Sequence, residues 1–133
     1  MIVEDRYYEY AITQMEQAKR KKKRKYNGYK NKADRICFYT GRPYADRHEV
    51  FPGTSNRQIC IKLGMQLDIY REKHEEIQGN ITPWAKEENA KWRACYQRVY
   101  MDFAEGEGLT EAEALRAWMG LIGRNYIMEL MPE

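Results

Sequence analysis

Histidine is the side chain best suited to proton transfer or metal binding near neutral pH, and this chain has two, His48 and His74. His48 lies in a predicted strand, and His74 lies in a predicted helix that follows a second strand. Asn56 lies between them near the start of another predicted helix, and Glu49 follows His48 directly. Imidazoles and a carboxylate in this order can bind a divalent cation or activate water. The candidate catalytic residues are therefore His48, Glu49 and Asn56, and the candidate metal ligands are His48 and His74.

Each of these residues also has an ordinary structural role. A lone histidine on a partly buried element commonly hydrogen-bonds within the protein, and an asparagine at a helix start commonly caps it. The cysteines are odd in number and irregularly spaced, so they suit small apolar core positions rather than a disulfide framework. The sequence leaves both kinds of role open for the histidines and for Asn56.

A basic segment, residues 19–35, dominates the charge pattern. It contains ten basic residues and one acid, which give it a charge of +9, so the rest of the +3 chain carries −6. Such a concentration of cations favours contact with a polyanion. The predicted partner is nucleic acid or a host protein complex that carries nucleic acid. The candidate binding residues are Lys19, Arg20, Lys21, Lys22, Lys23, Arg24, Lys25, Lys30, Lys32 and Arg35.

The elements that must position these side chains follow from hydrophobic spacing and from start and stop residues. Thr82 and Thr110 carry N-cap signals, Ser55 is a predicted N-cap, and Gly64 suits a left-handed helix end. A polar loop is predicted after the basic helix end, and the C-terminal tail is expected to dock on the domain. The predicted elements are strands at 35–39, 47–51 and 65–69 and helices at 4–25, 55–63, 71–77, 82–104 and 110–119.

The length and composition indicate one domain spanning residues 1–133. Its parts are an amphipathic helix with a basic end (1–27), a middle region (35–80) and a helical C-terminal region (82–131). No apolar run approaches the roughly 20 residues that span a bilayer, and no signal-peptide pattern is present at the N-terminus. We therefore expect a cytoplasmic protein in its host cell, with no membrane partner.

The stretch from Arg47 to Arg57, followed by Gly64, an alternating strand and His74, resembles the HNH (ββα-metal) nuclease motif of small phage and prophage proteins. The resemblance implies that His48 activates water or binds the metal, that Asn56 holds the loop in place, and that His74 completes the metal site. A bound Mg²⁺, Mn²⁺ or Zn²⁺ ion would then polarise the scissile phosphate. The segment 123–127 is also similar to the end of those proteins.

The chain departs from that family at most metal-binding positions. Glu49 stands where the family commonly has a second histidine, and the segment 79–81 lacks the histidine expected near Gly79. A structural zinc site needs four nitrogen or sulfur ligands. Of the four positions that match the family's zinc ligands, only Cys37 carries such a ligand, so structural zinc is not expected. No cofactor is required, and Mg²⁺ or Mn²⁺ would be bound only by a catalytic form. The positions that match the family's zinc ligands are Cys37, Thr40, Tyr70 and Lys73.

These observations predict an α+β fold, a mostly helical single domain around a small antiparallel ββα-metal (HNH-like) element, with a basic N-terminal helix. Three functions stay open. One is a degenerate HNH scaffold that binds DNA or a nucleoprotein complex without efficient cleavage. Another is an inhibitor of a host nucleic-acid defence system, of the anti-CRISPR kind, that acts by binding protein. The last is an active metal-dependent endonuclease, which the lost ligand positions argue against.

Overall fold

A computed structural model describes residues 5–20, 28–127 and 130 of the chain. Within these residues the structure is α+β and mostly helical, with one two-stranded antiparallel sheet, which confirms the α+β, mostly helical part of the predicted fold class. The elements are helix α1 (Asp5–Arg20), a short 3-10 turn (Lys32–Asp34), strand β1 (Asp46–Glu49), helix α2 (Thr54–Leu63), strand β2 (Gln66–Ile69), and helices α3 (Arg71–Gly79), α4 (Pro83–Gly106) and α5 (Glu111–Ile122).

The small sheet is formed by β1 and β2, with α2 in the connection between them and α3 directly after β2. Arg47 and Asp68 are directly opposite each other in the sheet, and their side chains form a buried ion pair with an N–O distance of 2.6 Å. All four residues of β2 are buried, the polar ones included. The sheet is therefore covered on both faces, and its polar residues are tolerated there because they pair.

Local capping explains several helix ends. The Thr82 hydroxyl accepts a hydrogen bond from the amide of Ala85 at 3.1 Å, and Thr110 forms a reciprocal capping box with Glu113, as predicted. Gly64 ends α2 in the left-handed conformation with φ of 75°. A Cβ atom at Gly64 would lie 2.5 Å from a backbone oxygen of α1, so only glycine permits this close approach of the two helices.

Helix α4 is the centre of the core, since α1, α3 and α5 all pack against it. Its Trp92 and Tyr96 are fully buried, as is Trp118 of α5. All three cysteines are buried and unpaired, in agreement with their predicted role as small core residues. The segment after α5 also docks, as expected: Ile127 is buried, and the backbone amide of Tyr126 donates to a side-chain oxygen of Gln97 at 2.6 Å.

Two predicted features are wrong. Residues 35–39 form no strand, because the amide of Cys37 donates to the carbonyl of Arg42 and the amide of Gly41 donates to the carbonyl of Cys37, which folds this segment into a turn. Helix α2 begins at Thr54 after Gly53, whose φ of 103° makes the turn, so Ser55 is inside the helix rather than its cap. The cap position lacks a side-chain hydrogen bond.

The remaining elements occur with shifted ends. The predicted strand 47–51 begins one residue earlier and ends at Glu49, while the chain turns away from the sheet at residue 50. Helices α3, α4 and α5 extend two or three residues beyond their predicted ends. The predicted basic helix 4–25 is present from Asp5 to Arg20. Residues 21–25, its strongly basic end, lie outside the described residues.

Candidate functional site

The two histidines lie side by side. His48 is on β1 and His74 is on α3, and their ring centroids are 5.3 Å apart with an angle of 67° between the ring planes. The short connection between β2 and α3 returns the helix over β1, which brings the two rings together. The strand–helix–strand–helix order around the histidines thus brings the two candidate metal ligands close together.

His74 is oriented by Asp46, which precedes His48 by two residues on the same strand. Nδ1 of His74 donates to Oδ2 of Asp46 at 3.2 Å, and because a carboxylate only accepts, Nδ1 carries the proton. The other carboxylate oxygen of Asp46 is 3.5 Å from Nζ of Lys32. Burial disfavours the charge on Asp46, but the hydrogen bond and the charge of His74, together with Lys32, outweigh it and lower the pKa of the carboxyl.

His48 has a different environment. Burial, followed by the positive charges of His74 and Arg93, lowers the pKa of its imidazole to about 3, so His48 is neutral at pH 7. Its Nε2 atom is buried, and the described residues provide it with no hydrogen-bond partner. Since buried polar atoms in folded proteins are nearly always paired, this nitrogen is available to a bound group.

Both histidines line a cavity of about 620 Å³, here called the histidine cavity. Three arginines contribute to its wall: Arg47 from β1, which pairs with Asp68, Arg57 from α2 and Arg93 from α4. Nε of Arg93 donates to the carbonyl of Val50 at 3.1 Å, and no carboxylate in the described part of the chain forms an ion pair with this guanidinium. The cavity wall therefore contains a histidine whose buried Nε2 has no described partner and an arginine with no described carboxylate partner.

Glu49 and Asn56, the other candidate catalytic residues, are engaged by the protein. Oε1 of Glu49 accepts from Nε of Arg57 at 3.0 Å, and Oε2 accepts from the side-chain amide of Gln66 at 3.4 Å. Nδ2 of Asn56 donates to the carbonyl of Pro52 at 2.9 Å, which holds the turn before α2. Within residues 5–20, 28–127 and 130, histidine, cysteine and acidic side chains form no group of three or more suited to a metal ion.

Of the four positions compared above with HNH zinc ligands, Thr40 and Tyr70 lie close to Cys37. The amide of Thr40 donates to Sγ of Cys37 at 3.4 Å, and the backbone of Tyr70 also hydrogen-bonds to this sulfur. Burial disfavours the Cys37 thiolate, but these hydrogen bonds outweigh that effect and lower the pKa of the thiol. Lys73, at the fourth of these positions, makes a cation–π contact instead: its Nζ lies 4.5 Å from the ring centroid of Trp84.

The described residues of the basic segment separate into two groups. Lys19 and Arg20 are exposed at the end of α1. Lys30 lies 3.9 Å from a carboxylate oxygen of Asp68, Lys32 pairs with Asp46, and the Arg35 guanidinium donates to the carbonyl of Lys30. These three cations therefore stabilise the fold around the sheet. The remaining candidates, Lys21, Lys22, Lys23, Arg24 and Lys25, lie outside the described residues.

Comparison of the chain with protein-family models, curated proteins and solved structures gives no match. Among the described helices, none is both long enough and apolar enough to cross a membrane.

Proposed function

We propose that this chain is a phage or mobile-element protein with a degenerate HNH-like scaffold, which binds DNA or a nucleoprotein complex without efficient cleavage. The observation that carries the proposal is the presence of both His48 and Arg93 in the wall of the histidine cavity. Nε2 of His48 is buried without a partner, and the Arg93 guanidinium has no described acidic partner. A phosphate oxygen can accept hydrogen bonds from both groups, since neutral imidazole offers one N–H and guanidinium several.

The charge of the cavity favours an anion over a metal cation. Arg93 lines it, and its positive charge already lowers the pKa of His48, so a divalent cation bound at His48 and His74 would be repelled by the same guanidinium. Glu49 also lines the cavity, and its two oxygens already accept hydrogen bonds from Arg57 and Gln66. Metal-assisted hydrolysis needs the ion to be held firmly against the phosphate. The same residues therefore support phosphate binding better than phosphate cleavage.

Duplex binding tests the proposal directly. Fluorescence anisotropy with a short blunt DNA duplex, measured over a range of salt concentrations, should give an affinity that falls as salt rises. Arg93→Gln should weaken binding and make the slope of log K against log salt shallower by about 0.9, since the variant neutralises one phosphate fewer. Arg98→Gln is the matched control, because Arg98 lies on the same helix but pairs with Asp102 at 3.0 Å and Glu105 at 2.8 Å.

Equal losses of affinity in the Arg93 and Arg98 variants would assign the effect to net charge rather than to the cavity. No binding by the wild-type protein at low salt would overturn the proposal.

Plasmid nicking distinguishes the binder from an endonuclease. Wild-type protein with Mg²⁺ or Mn²⁺ should cleave no faster than a metal-free control, because Arg93 opposes a bound cation at the histidines. Strong nicking that His48→Ala abolishes would make the endonuclease the better assignment, since one general acid–base group is typically worth about 10²–10⁴-fold in rate.

A further inference from the structure

A second cavity, of about 480 Å³, lies beside the histidine cavity. It is bordered by the segment before β1 and by the beginning of α3, and we call it the tyrosine groove. Its wall combines cations with aromatic rings, a composition unlike that of the packed core. The lining residues used below are Lys32, Arg42, Tyr44, Asp46, Tyr70 and Arg71.

Tyr44 is the most unusual residue of the groove. It is 63% exposed, and its backbone has a φ of 59°, in the left-handed region that non-glycine residues rarely adopt. Holding a tyrosine there strains the backbone, and such strain concentrates at ligand-binding positions. The Tyr44 ring is therefore exposed to solvent at the groove and contributes little to the packing of the core.

The cations of the groove are only partly compensated. The guanidinium carbon of Arg42 lies 4.8 Å from the ring centroid of Tyr70, and Arg71 opens α3. Neither arginine forms an ion pair with a carboxylate of the described residues. Lys32 and Asp46 neutralise each other at 3.5 Å. Glu72 is the other acid in the lining, so the groove carries a net positive charge.

The walls of the two cavities are in contact through a hydrogen bond between two side chains. Asp46 lines the tyrosine groove, His74 lines the histidine cavity, and these two residues hydrogen-bond to each other at 3.2 Å. A nucleic-acid strand with a phosphate at His48 can therefore continue directly into the tyrosine groove. The Asp46 carboxylate on this route is paired with Lys32 at 3.5 Å.

We propose that the tyrosine groove binds an unpaired nucleotide, with its base stacked on Tyr44 and its phosphate at Arg42 and Arg71. This inference rests on the proposed DNA-binding function and specifies the substrate as a duplex with a single-stranded extension. A backbone phosphate at the end of the duplex occupies the histidine cavity, and the extension enters the groove. Aromatic rings beside a cationic path are how proteins bind single strands without reading their sequence.

The test compares a blunt duplex with the same duplex carrying a short unpaired 5′ or 3′ extension, by fluorescence anisotropy. The wild-type protein should bind one of the extended duplexes about tenfold more tightly than the blunt one, as stacking of one base predicts. Tyr44→Ala should remove that preference and leave blunt-duplex affinity unchanged. Tyr44→Phe should keep it, because the ring remains.

Tyr44→Asn controls for backbone strain, since asparagine tolerates the left-handed conformation while lacking an aromatic ring. This variant should fold at least as stably as wild type and lose the preference. An extension preference that survives in Tyr44→Ala, or equal binding of all duplexes by wild type, would overturn the groove assignment while the duplex-binding proposal stands. Absence of duplex binding would overturn both, so the two failures are distinguishable.

Discussion

At the residue scale, His48 connects the site to the stability of the fold. Its imidazole has a pKa of about 3 in the folded protein, against 6.5 for an exposed histidine, chiefly because it is buried. Above about pH 6.5 both the folded and the unfolded states are neutral at this residue, and its contribution to stability is complete. As the pH falls below that value the unfolded state gains the proton first, so folding becomes less favourable.

We therefore predict that the free energy of unfolding decreases by about 2 kcal/mol between pH 7.5 and pH 5, as this shift requires. Urea unfolding at the two pH values measures the decrease. Most carboxylates are still ionised at pH 5, so their protonation contributes little to the difference. His48→Leu should remove most of the decrease, because leucine has no proton to bind. A decrease of the same size in the variant would show that other groups cause it.

Also at the residue scale, the sequence predicts the part of the site whose signals are local. His48, Asn56 and His74 are recognisable because each lies beside a strand end or a helix start. Arg93 is not, since it lies far along the chain within a long helix and only packing brings it to the cavity. Tyr44 has no signal either, because its strained backbone depends on how the preceding turn closes.

At the element scale, the β1–β2 pair depends on the buried ion pair between Arg47 and Asp68. The two residues are register partners, and their two shortest contacts are 2.6 and 2.7 Å. Arg47→Met should cost about 3–5 kcal/mol of unfolding free energy, because it leaves the Asp68 carboxylate buried without its main partner. The double variant with Asp68→Leu should recover most of that stability, since no buried charge then remains.

Chemical denaturation of wild type, the two single variants and the double variant gives the coupling energy. Arg98→Met serves as a control, because Arg98 is a more exposed arginine whose carboxylate partners are also partly exposed. This substitution should cost about 0–1 kcal/mol. Additive effects of the Arg47 and Asp68 substitutions would contradict the coupling.

The turn at Cys37 shows why one predicted element is wrong. The run Arg35–Tyr39 has the apolar content of a strand, but a backbone turn closes on Cys37, and the amide of Phe38 donates to the carbonyl of Asp68 in the sheet. Apolar composition alone does not distinguish a strand from a buried turn. The antiparallel pair and the helices α4 and α5 are predictable because alternation and capping residues mark them independently.

This turn also allows a test of the scaffold. If residues 37–40 and 70–73 retain the geometry of two zinc-binding turns, then Thr40→Cys, Tyr70→Cys and Lys73→Cys together should create a tetrahedral site with Cys37. We expect about one tightly bound zinc per triple variant and far less than one in wild type. Elemental analysis after dialysis measures both, and a triple variant that folds without binding zinc would argue against the HNH-like ancestry.

At the scale of the whole molecule, the charge of the chain is divided between a basic segment of +9 and a remainder of −6. The described part of that segment is committed largely to the fold, since Lys30, Lys32 and Arg35 contact groups around the sheet. Within the basic segment, the proposed contact with a polyanion therefore falls to the end of α1 and to residues 21–25.

Replacing Lys21, Lys22 and Lys23 with glutamine should weaken binding to blunt duplex DNA and reduce the salt slope by about 0.9 for each phosphate no longer neutralised. The matched control replaces three exposed cations on other helices, Lys62, Lys86 and Arg116, and changes the net charge equally. If general attraction by net charge governs binding, the two triple variants will lose affinity alike, because long-range attraction depends on total charge. A steeper fall in affinity and a shallower slope in the first variant alone would assign direct phosphate binding to the basic segment, which is the result we expect.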